Sequence, residues 1–334
     1  MTTGYHRFIA VVTLIIRRCF PGILCTLGVL VDDMELSVVV PTLNARDKLA
    51  GCLDALVEHV PDAEIIVVNG PSADGTTGMI RDRGDVDVLV ELADRTINAA
   101  RNAGIDRARG EVSALVNHTL SITDRWRSAV MNGLESAGVV TGPTHFAPDG
   151  GDAGEPEKQR IAGKEVTYLN AGNMALGRDV VEALDGFDEY LQIGGARDFA
   201  HRLTANDFNV AWEEEMSVTR SIEADGGTLE TDRGWKYRSL AYRLVKNYNL
   251  RPTVVRRLSS HALRDAYSEL RAVIGGESRP SSWFGSGKAV VTNTVRGTKD
   301  GLGARRTDTT PRRNPNGRSS RADRAVTVYD WRDP

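Results

Sequence analysis

The chain of 334 residues has little cysteine: only Cys19, Cys25 and Cys52. No two of them form a Cys-x-x-Cys pair, which argues against a cysteine zinc site and a disulfide framework. A reducing cytoplasm fits that composition. Cys52 shares helical spacing with Leu49, Leu53 and Leu56, so it is expected in the core. Internal repeats are also absent. The apolar run Phe8–Ile16 is too short to span a bilayer, which needs about 20 apolar residues. Arg17 and Arg18 follow it, and Cys19–Val31 is again mostly apolar. Such a segment suits a poor signal peptide or a membrane-surface anchor. A plainer reading places the natural start at Met34, since Glu35-Leu-Ser-Val-Val-Val-Pro41 follows at once.

Charge is present but unevenly spread. Hydrophobic residues at 41% and charged residues at 26% are ordinary for a soluble globular protein. The net charge is -3. Residues 279–334 carry 12 Lys/Arg against 5 Asp/Glu, a net +7, which leaves -10 for residues 1–278. A basic tail on an acidic body suggests contact with an anionic surface, or else a solvated disordered tail.

The richest signal is Ser37-Val-Val-Val-Pro-Thr-Leu-Asn44, followed by Glu64-Ile-Ile-Val-Val-Asn-Gly-Pro-Ser-Ala-Asp-Gly-Thr76. Each apolar run reads as a strand buried on both faces. The small polar residues after it then lie at the carboxyl edge of a parallel sheet, where open α/β folds bind ligands. Between the runs, residues 45–59 read as a helix, with Asn44 as its N-cap and Asp47 in a capping-box variant. A short helix over 74–83, capped by Ser72 or Asp74, follows the second strand. Strands at 86–91 and 112–116 flank a helix at 95–108. This alternation predicts a doubly wound parallel sheet.

Beyond it the pattern is mixed. Residues 123–136 read as a helix, 139–141 as a strand, and 148–157 as a Gly/Asp/Pro-rich mobile loop. Strands are expected at 166–176, 208–212 and 216–219, with short helices at 179–184 and 198–205. Arg233–Tyr248 is an amphipathic helix: Tyr237, Leu240, Ala241, Leu244 and Tyr248 share a face flanked by Lys236, Arg243 and Lys246. Residues 253–274 form another helix. From about 275 the chain turns to Gly, Ser, Arg and Asn and is expected to be largely disordered, apart from an apolar end at 325–331.

Four blocks occur in order: 38–44 (Val-Val-Val-Pro-Thr-Leu-Asn), 67–76 (Val-Val-Asn-Gly-Pro-Ser-Ala-Asp-Gly-Thr), 99–111 (Ala-Ala-Arg-Asn-Ala-Gly-Ile-Asp-Arg-Ala-Arg-Gly-Glu) and 171–178 (Ala-Gly-Asn-Met-Ala-Leu-Gly-Arg). The last continues into Asp185-Gly-Phe-Asp-Glu189. Over about residues 35–220 this order resembles the family 2 glycosyltransferases. The resemblance implies a GT-A (Rossmann-like) α/β fold, a mixed sheet flanked by helices. Within the family the blocks look most like archaeal members that build surface-layer N-glycans. By resemblance, Thr42 and Asn44 line the nucleoside side of a nucleotide-sugar pocket. Asn69 stands where the family usually has an Asp that holds base or ribose, and Asp74 orders its loop. Arg101 and Asn102 open the segment that runs toward the diphosphate. Asn173, Asp188 and Glu189 fall on the acceptor side. Asn44, Ser72 and Asp74 also read as helix caps, and Arg101 as part of a solvated helix face.

Two departures stand out. The family's metal-binding Asp-x-Asp should follow the strand at 112–116, but the chain reads Asn117-His118-Thr119 there. Mg2+ and Mn2+ prefer hard anionic oxygens, so His118 is the weak candidate metal ligand. Arg95, Arg101 or Arg197 are the cations that would neutralise a leaving diphosphate instead. The family also tends to read Gly-Glu-Asp-x-Asp-Leu-x-x-Arg-Leu. Here Gly195 and Ala196 replace the Glu-Asp pair, and Asp198 keeps the remaining carboxylate. Asp198 is therefore the expected base for an inverting transfer, or an N-cap, with Asp188 and Glu189 behind it.

The resulting reading has four parts: an extension (1–33), a GT-A domain (34–225), C-terminal helices (226–278) and a basic tail (279–334). The function implied is an inverting glycosyltransferase with a nucleotide-sugar donor. Its acceptor would be polyprenyl-phosphate-linked or a glycan, at the cytoplasmic face of an anionic membrane, in protein N-glycosylation. Nucleic acid is not an expected partner. The alternative is a degenerate GT-A protein that binds a nucleotide or partner without catalysis. A sugar-phosphate nucleotidyltransferase is disfavoured, because no Gly-rich, Lys/Arg-bearing signature follows the first strand.

Overall fold

The computed structural model describes residues 35–146, 156–220, 233–274 and 280–332. The N-terminal extension, and all but the end of the expected loop at 148–157, lie outside them. Three Val/Ile-rich strands make the centre: β1 (Leu36–Thr42), β2 (Glu64–Asn69) and β3 (Val88–Leu92). All three are parallel neighbours, with β4 (Val112–Val116) on the other side of β1. Branched side chains suit this pleated, doubly covered setting. Val38, Val39, Ile66, Val68 and Val90 are all fully buried.

Helices α1 (Arg46–His59), α2 (Thr76–Arg81) and α3 (Ile97–Ile105) connect these strands. Helix α1 buries Leu49, Cys52, Leu53 and Leu56, the expected stripe. Burial pushes the Cys52 thiol pKa up to about 12, so it behaves as a small apolar group. Asn44 does not cap this helix: it lies at φ 48, and Ala45 occupies the N-cap. Instead Asp74 Oδ2 accepts from Arg46 N at 3.1 Å, reaching across from the next loop. The cap is long-range, which local spacing does not reveal.

Strand β5 (Leu120–Ile122), helix α4 (Trp126–Ser136), and strands β6 (Val139–Thr141) and β7 (Thr144–Phe146) follow. The single strand expected at 166–176 is two. A hairpin of β8 (Lys158–Ile161) and β9 (Lys164–Thr167) ends first, and β10 (Asn173–Gly177) then enters the main sheet. Asn170 breaks the run by accepting from Gly172 N at 3.2 Å, a side-chain turn. Helices α5 (Arg178–Leu184) and α6 (Gly195–Ala205) precede β11 (Val210–Trp212) and β12 (Val218–Arg220). Strand β10 runs antiparallel to both β4 and β6, so the sheet is mixed.

The C-terminal part packs on the body, which corrects the expectation of a largely disordered tail. Helix α7 (Arg233–Tyr248) turns its apolar face inward. Leu240, Ala241, Leu244 and Val245 form a cluster with Ile161, Val254 and Leu258. Lys246 is fully buried. After α8 (Pro252–Ile274), residues 280–332 are ordered rather than largely disordered. They form α9 (Pro280–Thr307) and β13 (Ala325–Asp330), which pairs antiparallel with β3 and closes the eight-stranded order β11-β6-β10-β4-β1-β2-β3-β13. The physical reason is charge. Arg318 and Arg324 pair with Asp106 at 3.3 and 3.1 Å. Arg321 pairs with Glu189 at 3.1 Å and with Asp94, and Arg332 pairs with Glu64. Much of the basic excess of the tail is met by the acidic body.

Helix α3 approaches the sheet through Gly104. A Cβ there would lie 2.2 Å from Val39 Cγ1 and 3.0 Å from Val68 Cγ2. Both neighbours are branched core side chains with no free direction to move. Gly104→Ala is therefore expected to cost about 1–3 kcal/mol through overpacking. Urea unfolding would report this as a lower midpoint at unchanged slope.

Candidate functional site

The carboxyl ends of β1, β2 and β4 bring Thr42, Asn69 and Asn117 to one edge of the sheet. Thr42 and Asn69 are direct partners in the ladder. Thr42 Oγ1 is buried and has no hydrogen-bond partner among the described residues, so it can still accept or donate one. The loops after β1 and β2 are laced together. Asn44 N donates to Ser72 Oγ at 2.9 Å, and Ala73 N donates to Asn44 Oδ1 at 2.8 Å. Ser72 Oγ donates to Asn69 Oδ1 at 2.7 Å, and Asn69 Nδ2 donates to Thr77 Oγ1 at 2.8 Å. Asp74 Oδ1 takes Thr76 N at 3.1 Å and Thr76 Oγ1 at 2.5 Å. Asp74 thus ties the start of α1 to the start of α2. Asn44 and Asn69 brace the loop as well.

At the end of β4, Asn117 Oδ1 accepts from Thr119 N and Thr119 Oγ1, both at 3.0 Å. His118 Nδ1 donates to Pro41 O at 3.0 Å and ties this turn to β1. A hard dication needs anionic oxygens. Here the carboxamide oxygen is already engaged, no carboxylate joins it, and no His/Cys/Asp/Glu cluster of metal-binding size occurs among the described residues. The donor set at 117–119 therefore does not fit Mg2+ or Mn2+.

Arg101 and Asn102 serve the fold rather than a diphosphate. Arg101 is buried, donates to Asn98 Oδ1 at 3.3 Å and to Ala171 O, and lies 5.0 Å over the Phe187 ring. Desolvation brings its pKa down to about 10, so it stays a cation. Asn102 brackets the backbone of Phe187: Nδ2 donates to its O at 2.9 Å, and Oδ1 accepts from its N at 2.8 Å. Asn173, also buried, accepts from Trp126 Nε1 at 2.8 Å and donates to Met216 O at 2.6 Å.

The expected base is locked. Asp198 is fully buried on α6. Its Oδ2 receives Lys246 Nζ at 2.8 Å and Arg202 Nε at 2.9 Å; its Oδ1 receives Asn247 Nδ2 at 2.9 Å. Desolvation alone would raise its pKa, but Lys246 and Arg202 hold it well below the usual carboxylate range. Asp188 shares Lys246 at 2.6 Å and takes Tyr242 OH at 2.8 Å. Glu189 pairs with Arg324 and Arg321. Asp198 has neither the basicity nor the access that a general base requires, and Asp188 and Glu189 are engaged by ion pairs. Asp198, Asp188 and Glu189 are thus counterions of the interior.

An opening of about 500 Å³ lies beside Asn117 and Thr119. Tyr168, Trp212, Arg197, Arg220 and Glu157 also line it. Arg197 Nη2 pairs with Glu157 Oε2 at 2.6 Å, and its guanidinium lies 4.4 Å from the Tyr168 ring centroid. Glu157 is the carboxylate among the lining residues. Sequence reading singled out Arg197 but missed Glu157, Tyr168, Trp212 and Arg220. The signal available was modest: Tyr168 and Trp212 are aromatic residues at strand ends.

The model of the family described as "Glycosyl transferase family 2" matches residues 37–182. That segment is a family 2 glycosyltransferase domain. Among curated proteins, Glycosyltransferase AglE of Haloferax volcanii is 26% identical over 199 residues, 54% of this chain and 65% of the relative. Poly(ribitol-phosphate) beta-glucosyltransferase of Bacillus spizizenii is 33% identical over 92 residues, 25% of this chain and 14% of the relative. The chain thus spans less than two thirds of these relatives' lengths. Among solved structures, S. aureus TarS 1-349 in complex with UDP-GlcNAc aligns with a TM-score of 0.51 at 17% identity, covering 64% of this chain and 68% of that one. GalNAc-T7 with UDP, GalNAc and Mn2+ aligns with a TM-score of 0.52 at 14% identity, covering 65% and 52%. These likenesses show the GT-A fold.

Lys246→Met would leave two buried carboxylates without their shared cation, a loss of about 3–5 kcal/mol. The depressed Asp198 pKa means that its pairing stabilises the fold above about pH 4 and is lost as pH falls toward the folded value. The Met variant lacks that term. Its deficit in urea midpoint should be largest at neutral pH and shrink below about pH 4. A deficit that stays constant with pH would remove Lys246 from this role.

Proposed function

We propose that this chain is a glycosyltransferase that uses a nucleotide-sugar donor seated at the carboxyl ends of β1, β2 and β4. The observation that carries this reading is the family match over 37–182, which includes all three strand ends. The buried, unpartnered hydroxyl of Thr42 and the braced 69–74 loop supply a preformed wall for a nucleoside. The structural neighbours described with UDP-GlcNAc, and with UDP and GalNAc, support a donor of that class. The opening beside Asn117 would then hold the acceptor, with Tyr168 and Trp212 as apolar platforms for a sugar ring. A polyprenyl-phosphate-linked or glycan acceptor at the inner membrane face fits this reading. A place in protein glycosylation, implied by the resemblance of the sequence blocks to archaeal members, is part of this reading.

Inverting transfer needs a base at the acceptor hydroxyl. With Asp198 enclosed, the role passes to Glu157 at the opening. As its oxygen takes the acceptor proton, the sugar moves to the acceptor oxygen and the nucleoside diphosphate leaves. Arg197 and Arg220 are the cations lining the opening, and they supply positive charge for that leaving group. A second reading, a nucleotide binder without catalysis, draws on Gly195 and Ala196 in place of a Glu-Asp pair.

The test is titration calorimetry with UDP- and GDP-sugars, paired with transfer to a polyprenyl-phosphate acceptor. Glu157→Gln should lower turnover by about 10²–10⁴-fold while donor affinity stays nearly unchanged. Chelation by EDTA should leave donor binding intact. Equal turnover in the variant would clear Glu157. Tight nucleotide binding with no transfer by the wild type would favour the binder.

A further inference from the structure

Helix α8 has two unlike faces. Its inner face carries Val254 and Leu258, which join the cluster under α7. Its acidic Asp265 is also engaged there, with Lys236 at 2.6 Å and Tyr237 at 2.8 Å. The outer face is different. Leu263 is 70% exposed and Tyr267 62% exposed, with Val255 at the edge of the same stripe. Arg256, Arg264 and Arg271 are exposed around them. Positions 256, 260, 263, 267, 271 and 274 recur at helical spacing, and none of them is acidic.

Helix α9 repeats the arrangement. Its inner side lies against the backbone of α7 through glycine: a Cβ at Gly297 would sit 2.2 Å from Arg238 O, and one at Gly301 2.7 Å from Tyr242 O. Asp300 pairs inward with Arg238 at 2.8 Å. Outward stand Val291 at 65% and Val295 at 63% exposure, with Lys288, Arg296 and Lys299 also exposed. Asp265 and Asp300 thus turn toward α7, while apolar side chains stand among cations outside. Large exposed apolar side chains on two neighbouring helices call for an occupant. Cations interleaved with them match a surface of phosphate headgroups over hydrocarbon, the setting of interfacial helices.

We propose that the outer faces of α8 and α9 form the surface by which this chain rests on an anionic lipid bilayer. No helix among the described residues is long and apolar enough to cross a membrane, so the contact is interfacial. The proposal deepens the transferase reading and rests on it for its purpose, since a lipid-linked acceptor would be met at that surface. Within the basic tail the contact is confined to α9, because Arg318, Arg321, Arg324 and Arg332 pair with the body, and α7 is excluded because its apolar face is buried.

The test uses the full chain and sedimentation with vesicles of phosphatidylglycerol and phosphatidylcholine, or of phosphatidylcholine alone. Binding should require the anionic lipid and weaken with salt. Leu263→Glu/Tyr267→Glu should abolish it. Arg256→Ser/Arg264→Ser/Arg271→Ser should weaken partitioning roughly five-fold per charge removed at low salt. Both variants should melt as the wild type does, since the altered side chains are exposed. Donor affinity, measured without vesicles, should also be unchanged. Binding that persists in both variants, equal binding to neutral vesicles, or no binding by the wild type would overturn the proposal. Concentration-dependent self-association that the Glu variant abolishes, without vesicle binding, would also overturn it in favour of a second copy. Vesicle binding without donor affinity would sink the transferase reading and leave the surface standing.

Discussion

One buried ammonium organises this molecule. Lys246 of α7 reaches both Asp188 and Asp198, at 2.6 and 2.8 Å, with no solvent exposure at any of the three side chains. A buried cation is tolerable only when anions and hydrogen bonds replace its water. Here two carboxylates do so, and each is itself completed, by Arg202 and Asn247 on one side and by Tyr242 and Asn316 on the other. The network joins three stretches distant in sequence: the 188–202 segment, helix α7, and the loop before β13. Helix α7, which follows the matched segment, is thereby fastened to the 188–202 segment.

The same logic explains the C-terminal strand. β13 gains a ladder along the exposed edge of β3, which would otherwise present unpaired backbone groups. Arginines on the segment before it meet Asp94, Asp106 and Glu189, so charge as well as backbone pairing sets its position. Surface pairs of this kind are individually weak. Several of them, spaced along one segment with Arg324 nearly buried, act as a network.

The sheet centre was legible because it follows a local rule. The apolar runs at 36–42 and 64–69 end in small polar residues, and both of them, with the run at 88–92, form parallel strands. The strand-end residues Thr42, Asn69 and Asn117 converge for the same reason. The order of the tail is hidden in the sequence because its partners are charges more than 100 residues away, as in Arg324 with Glu189 and Arg321 with Asp94. Composition sees only the excess of arginine. Arg101, Asn102 and Asp198 were read as surface or site residues because spacing puts polar groups on a helix without saying what lies opposite. Glu157 was hidden for the converse reason: it stands in a loop with no motif, and only the fold brings it to the opening.

Gly195 and Ala196 make sense within this arrangement. Gly194 takes a left-handed φ of 76 to start α6, and a Cβ at Gly195 would lie 2.3 Å from the Asn98 carboxamide. Asn98 cannot yield, because its Nδ2 donates to both Asp188 O and Leu191 O, at 3.1 and 2.8 Å. A glutamate at 195 would therefore break the bracket that positions Asp188 for Lys246. Glycine at 195 and the buried ammonium thus belong to one packed arrangement. Carboxylates committed to neutralising Lys246 are withdrawn from proton transfer, since a base must be both basic and reachable. Outside this buried network, the charged side chains that line the opening beside Asn117 are Glu157, Arg197 and Arg220.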